Sequence, residues 1–135
     1  MKLYKFGHAI GQNAFHFVWK PKYAKDPFKF EKLRTFCEEV IREVAEKHSF
    51  KIYELSVQPD HVHLFVEVPH VMSVSKALQH FKGYSAYRIF KQHHWLRRHF
   101  RRGHFWSPGK FFRSVGNVTS DTIKHYISSS NGFWS

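Results

Sequence analysis

His61 and His63 stand two residues apart in the run Gln58-Pro59-Asp60-His61-Val62-His63-Leu64-Phe65-Val66-Glu67-Val68. From His61 onward this run reads as a strand, in which side chains alternate between two faces. Val62, Leu64, Val66 and Val68 then share an apolar face that must be buried, while His61, His63, Phe65 and Glu67 share the other. Two imidazoles on one strand face point the same way, close enough to hold one cation or one phosphate. A strand presents them more rigidly than a loop would. The bland alternative is two polar side chains on a wet sheet face. A histidine pair is also an incomplete metal site: imidazole suits zinc, copper, nickel and iron, and a hard cation wants oxygen as well. Asp60, Glu67, Ser130, Asn131 or a substrate phosphate could supply that oxygen. The strongest candidate to attack such a phosphate is Tyr126. Its hydroxyl, with an ordinary pKa of about 10, needs a nearby cation or base to become competent. A lone tyrosine on a helix stripe is more often a packing residue, and pattern alone does not select Tyr126 over Tyr84 or Tyr87.

The composition narrows the partner. The chain has 135 residues and a formal charge of +12, with twelve histidines, 15 Phe, 6 Tyr and 4 Trp. So basic a balance points to a polyanion, nucleic acid before an anionic membrane. The segment between Glu67 and Asp121 contains no acid. Within it Lys91, Arg97, Arg98, Arg101, Arg102, Lys110 and Arg113 are interleaved with Trp95, Phe100, Phe105 and Trp106. Cations that neutralise phosphates beside rings that stack on bases suit single-stranded nucleic acid. A solvated charged surface is the plainer reading. No apolar run approaches the roughly 20 residues that span a bilayer. The N-terminal residues lack a signal-peptide pattern, so a cytoplasmic protein is expected, with no membrane partner. Cys37 is alone, which excludes an internal disulfide and a cysteine-built zinc site.

Several elements must position these groups. Met1 to Asn13 shows little pattern, and Ala14 to Lys20 reads as a strand closed by Pro21. Lys22 to Phe30 is a basic loop. Glu31 to Phe50 is the clearest helix, with Leu33, Phe36, Cys37, Val40, Ile41, Val44 and His48 on one stripe. Lys51 to Val57 alternates as a strand and should form an antiparallel hairpin with the histidine strand through Gln58-Pro59-Asp60. Ser73 caps a second helix, running to about Phe90, whose buried stripe is Val74, Ala77, Leu78, Phe81, Ser85 and Ile89. Gly83 inside it is either a weak point or a place where another backbone approaches. Phe111 to Gly116 is a short last strand, and Val118-Thr119-Ser120-Asp121 reads as the start of a helix carrying Tyr126. The predicted fold is α+β, a ferredoxin-like or RRM-like split β-α-β-β-α-β sheet with both helices on one face. The other face is left open to present His61 and His63. One domain over 1–135 is expected, its core about 14–116 and its terminal helix about 119–130.

The ordered set of motifs resembles the small HUH single-tyrosine transposases of the IS200/IS605 insertion-sequence type. His61-Val62-His63 is similar to their signature of histidine, bulky apolar residue, histidine. His16-Phe17-Val18-Trp19-Lys20-Pro21-Lys22-Tyr23 resembles their first strand and basic turn, and Lys82-Gly83-Tyr84-Ser85 their Lys-Gly step. Phe105-Trp106-Ser107-Pro108-Gly109-Lys110 and Ser114-Val115-Gly116 resemble their Trp-Ser and Val-Gly blocks, and Thr122-Ile123-Lys124-His125-Tyr126-Ile127 their nucleophile helix. The likeness spans roughly residues 14 to 128. It implies an enzyme that cleaves and rejoins single-stranded DNA at hairpin ends. Tyr126 would form a 5′-phosphotyrosine link, and His61 and His63 would hold Mg2+ or Mn2+. It also implies a homodimer in which one subunit's tyrosine helix completes the other's histidine site.

One departure stands out. The family usually places Gln four residues after the tyrosine as a third metal ligand, where this chain has Ser130, then Asn131. Asn131, Asp60 or water would have to replace it, or the site is weakened in a degenerate copy. Two other classes compete with the enzyme. An RNA-binding module would stack bases on Phe15, Phe17 and Phe65 and never become covalently attached. A zinc hydrolase built on the histidines would work without Tyr126.

Overall fold

The computed structural model describes residues 9–100, 103–109 and 111–119. Strands β1 (Ala9–Trp19), β2 (Lys51–Gln58), β3 (His61–Glu67) and β4 (Phe111–Thr119) alternate with helices α1 (Glu31–Lys47) and α2 (Val74–Gln92). The order is the split β-α-β-β-α-β expected from the alternation. The strands lie in the order β2-β3-β1-β4, and every neighbouring pair is antiparallel.

Alternation dictates the main core. Val62, Leu64, Val66 and Val68 are buried, as are Phe15, Phe17 and Trp19. They meet Leu33, Cys37, Ile41 and Val44 of α1 and Ala77, Leu78, Phe81 and Ile89 of α2 in one apolar cluster. Ser73 caps α2 as its spacing predicts, its hydroxyl accepting from the Lys76 N–H at 3.1 Å. Helix α1 stops at Lys47, three residues short of the expected Phe50, because Ser49 turns into the left-handed region at φ 61°. The Phe50 N–H then donates to the Ala45 carbonyl at 2.9 Å, closing a Schellman-type end.

Four expectations are corrected. First, β1 begins at Ala9, so part of the supposedly patternless lead-in is strand; among the described residues this part pairs with β4, through Gly11 with Val118 and Ala9 with Thr119. Second, β4 runs to Thr119, so Val118 and Thr119 belong to a strand where a helix start was expected. The remainder of the predicted terminal helix lies outside the described residues. Third, the supposed basic loop holds two short 3-10 turns, Lys22–Ala24 and Pro27–Lys29. Fourth, the sheet face turned away from the helices is not open at its centre. Ala14, His16, His63 and Phe65 are all buried there, and Ala14 and Phe65 form a second apolar cluster with Tyr53 and Val115. Four apolar side chains from four adjacent strands meet on that face. Period two within one strand cannot reveal this.

Gly83 meets no other backbone: a Cβ built there finds nothing within 4 Å, and its backbone is helical. It is the weak point the sequence allowed. Gly83→Ala is therefore expected to stabilise the fold by about 0.5–1 kcal/mol. A rise of about 2–4 °C in thermal midpoint would check it.

Candidate active site

The hairpin between β2 and β3 sets the histidines in place. Gln58 pairs with His61, leaving Pro59 and Asp60 as a two-residue loop. The loop is tied down from outside, since the Phe28 N–H donates to the Pro59 carbonyl at 3.1 Å. The ring centroids of His61 and His63 lie 4.3 Å apart with planes tilted by 33°. The face-sharing read from the alternation thus brings the two imidazoles together. They differ in exposure: His63 is 2% exposed, while the His61 side chain is 22% exposed.

Asp60 reaches back to His61, with Oδ1 2.7 Å from Nδ1. In the neutral ring this bond places the proton on Nδ1 and the lone pair on Nε2, the arrangement that orients metal-binding histidines. The same hydrogen bond holds the Asp60 carboxyl below its ordinary pKa, with Lys20 adding to the effect. Burial drives His63 down to about 3, helped by the neighbouring His61 and His16. His63 is therefore neutral near pH 7, as a metal ligand must be. His16 lies on the same face, one strand over, edge-on to Phe65 with centroids 5.2 Å apart. Burial lowers it to about 4, with Arg113 adding to the shift. Arg113 pairs with His16 across β1 and β4. In the sequence His16 and Lys20 stand only within the first-strand motif, and nothing local gives them a place at the site. The signal lay in the cross-strand register, which sets His16 beside Phe65 and Trp19 beside Val62.

Among the described residues, no three His, Cys, Asp or Glu side chains gather to hold a metal ion. Glu67, expected as a possible oxygen donor, is committed elsewhere: it accepts from the Tyr53 hydroxyl at 3.0 Å and from the Asn13 N–H at 2.9 Å. It also stands four residues beyond His63, roughly 13 Å along the strand. Tyr126, Ser130 and Asn131 lie outside the described residues.

The basic segment divides. Lys91, Arg97, Arg98 and Trp95 are exposed. Arg113 is exposed on β4. Arg101, Arg102 and Lys110 lie outside the described residues. Trp106 is a correction. It is buried, donates from Nε1 to the Ser85 hydroxyl at 2.9 Å, and packs edge-on to Trp19 with centroids 5.9 Å apart. Phe100 and Phe105 are buried with it. Phe15, Phe17 and Phe65 are buried as well, so these three rings are not available to stack bases as an RNA-binding module would need.

Comparison with known proteins places the chain in a family. The family model of IS200-like transposases matches residues 9–130. The transposase of insertion sequence IS200 from Salmonella typhimurium is 33% identical over 116 residues, covering 84% of this chain and 76% of its own. A crystal structure of a Deinococcus radiodurans chain classed as a transposase superposes with a TM-score of 0.70 at 24% identity, over 89% of this chain and 92% of its own. A REP-associated tyrosine transposase bound to a REP hairpin superposes with a TM-score of 0.61 at 16% identity, over 94% and 72%. These two likenesses concern the fold. The family match runs through the hairpin, both histidines and the segment carrying Tyr126, and the chain belongs to the IS200-like transposases.

Proposed function

We propose that this transposase cleaves and rejoins single-stranded DNA at the hairpin ends of an insertion sequence by tyrosine transesterification. The observation that carries the reading is the His61–His63 pair at 4.3 Å, with Asp60 fixing the outer ring. Two imidazoles with oxygen supplied by a phosphate make a mixed nitrogen and oxygen site for a divalent ion; the likeness to the family selects Mn2+ or Mg2+, which would take most of their ligands from oxygen. When bound, such an ion polarises the phosphoryl group and steadies the departing oxygen. Ser130 or Asn131 would complete the ligand set; Asp60 is engaged by His61 and serves to orient it. The Tyr126 oxygen attacks phosphorus as its proton passes to a nearby base. The bond to the 3′ oxygen breaks, and the products are a 5′-phosphotyrosine and a free 3′-hydroxyl. One phosphodiester replaces another, so the step reverses to join strands.

A homodimer with a shared site accords with the place of β4 at the end of the sheet among the described residues, where it carries the exposed rings of Phe111 and Phe112. An unpaired strand edge bearing apolar groups is a ready surface for a second chain. The reading is tested by incubating the chain with a labelled stem-loop in Mg2+ or Mn2+. A protein–DNA adduct that survives denaturation is expected, and its absence with every hairpin and metal tried would refute the assignment. Asp60→Ala should leave the fold intact and weaken Mn2+ binding about 10- to 100-fold, through loss of ring orientation. Calorimetric titration with Mn2+ reads this directly, and an unchanged affinity would remove Asp60 from the site.

A further inference from the structure

A cleft of about 320 Å³ lies between the Pro27–Lys29 turn and the turn His94–His99. Its rim carries Phe30 and Trp95, exposed to 54% and 50%, and its floor includes the buried Leu33 and Phe100. Two rings of this size left half in water are costly unless something covers them. The charges around them specify what. Lys25, Lys29 and His99 line the cleft. The one acid lining it, Asp26, lies 3.9 Å from the Lys29 ammonium. Lys25 and His99 also line an adjoining hollow of about 420 Å³ with Tyr23 and Arg98. The ring of Tyr23 is again exposed, under the Lys22 ammonium at 5.5 Å. Tyr23 holds φ 65°, a conformation that costs a residue with a Cβ roughly 1–2 kcal/mol. Strain of this kind persists where the surroundings enforce it, and it collects at binding sites.

We infer that the two hollows form one track for single-stranded DNA. One unstacked base enters between Trp95 and Phe30, the next lies against Tyr23, and Lys25 and His99 meet the phosphate between them. Every base has a flat face, so such a track takes a strand without reading its sequence. Its position serves the site already described. The Phe28 N–H, within the turn that walls the cleft, bonds the Pro59 carbonyl two residues before His61. A strand lying in the track is thereby held at the hairpin that carries the histidines.

This inference rests on the transposase reading but is tested apart from it, by equilibrium binding in EDTA, where no strand is cut. The probe is a fluorescein-labelled (dT)20 strand at fixed salt. Trp95→Ala and Phe30→Ala should each weaken binding about 10-fold, within the range of about 1–3 kcal/mol per stacked base. Trp95→Phe should restore most of the loss. Lys25→Ala should flatten the dependence of log K on log salt by about 0.7, as expected for one phosphate contact. Trp95 and Phe30 are exposed, so their loss spares the core, and circular dichroism confirms it. If both alanine variants bind within twofold of the unaltered chain, the track is wrong, even where Lys25→Ala weakens binding: that pattern means charge attraction alone. A chain that forms the covalent adduct but binds (dT)20 indifferently to Trp95 loses the track and keeps its chemistry. One that never forms the adduct but depends on Trp95 keeps the track and loses the chemistry.

Discussion

A Tyr126→Phe chain is expected to bind a stem-loop as tightly as the unaltered protein and to yield no covalent adduct at all. In the proposed mechanism the phenol oxygen forms the new bond to phosphorus, and phenylalanine keeps the ring but has no oxygen. Loss should therefore be complete, while the ring itself is kept. His61→Ala should lower adduct formation by at least about 100-fold, because one of two imidazoles at 4.3 Å is removed from the proposed cation site. The two variants separate in one respect. Excess Mn2+ should partly restore His61→Ala, by filling a weakened site through mass action, and should do nothing for Tyr126→Phe. Adduct at ordinary yield from the phenylalanine variant would transfer the nucleophile to another residue, and Tyr84 and Tyr87, both exposed, would be examined next.

Acidification from pH 7 to pH 5 should cost the fold about 2–4 kcal/mol, a large share of the stability of a domain this size. The cause is the pair of buried histidines on the second sheet face, His16 lowered to about 4 and His63 to about 3. Both titrate near 6.5 in the unfolded chain. Between 6.5 and about 4 the unfolded chain takes up protons that the folded chain refuses. Unfolding is thereby favoured as the pH falls, by up to about 1.4 kcal/mol per pH unit for each ring. The contribution is fully present above 6.5 and lost on the way down. His80 and His93, also lowered by burial, act in the same direction. Urea midpoints measured in EDTA from pH 7 to 5 give the slope. His16→Phe, which keeps a flat ring against Phe65, should remove about one proton from it. A midpoint flat across this range would show that the two rings are accessible to protons in the folded state.

The sequence was legible wherever one strand or helix carries its own period. Val62, Leu64 and Val66 announce a buried face, and Ser73 announces a cap, because each signal lies within a few residues. Trp95 and Trp106 show what is lost beyond that range. Both sit in the same basic, aromatic run, and nothing local separates them. Trp106 is drawn inside by Ser85, 21 residues earlier, and by Trp19, while Trp95 meets the exposed His99 edge-on at 6.3 Å and stays half in water. The candidate site divides in the same way. His61, His63 and Asp60 are neighbours along the chain, so spacing found them. His16 and Lys20 reach the same place only through the pairing of β1 with β3. The covering of the second face depends on four strands contributing at once, and no single strand encodes it.

The direction of β4 carries one more consequence. The strand begins beside Val18, which pairs with His63, and ends beside Ala9. Its nine residues therefore carry the chain roughly 26 Å away from the histidines. If residues 120–126 form a helix, as their sequence predicts, they advance only about 10 Å in any direction. Even aimed straight back, such a helix would leave Tyr126 short of its own His63. A second molecule would then supply the phenol, each chain presenting its tyrosine at the metal of the other. Scission would become a two-body property, rising with the square of protein concentration until pairing saturates.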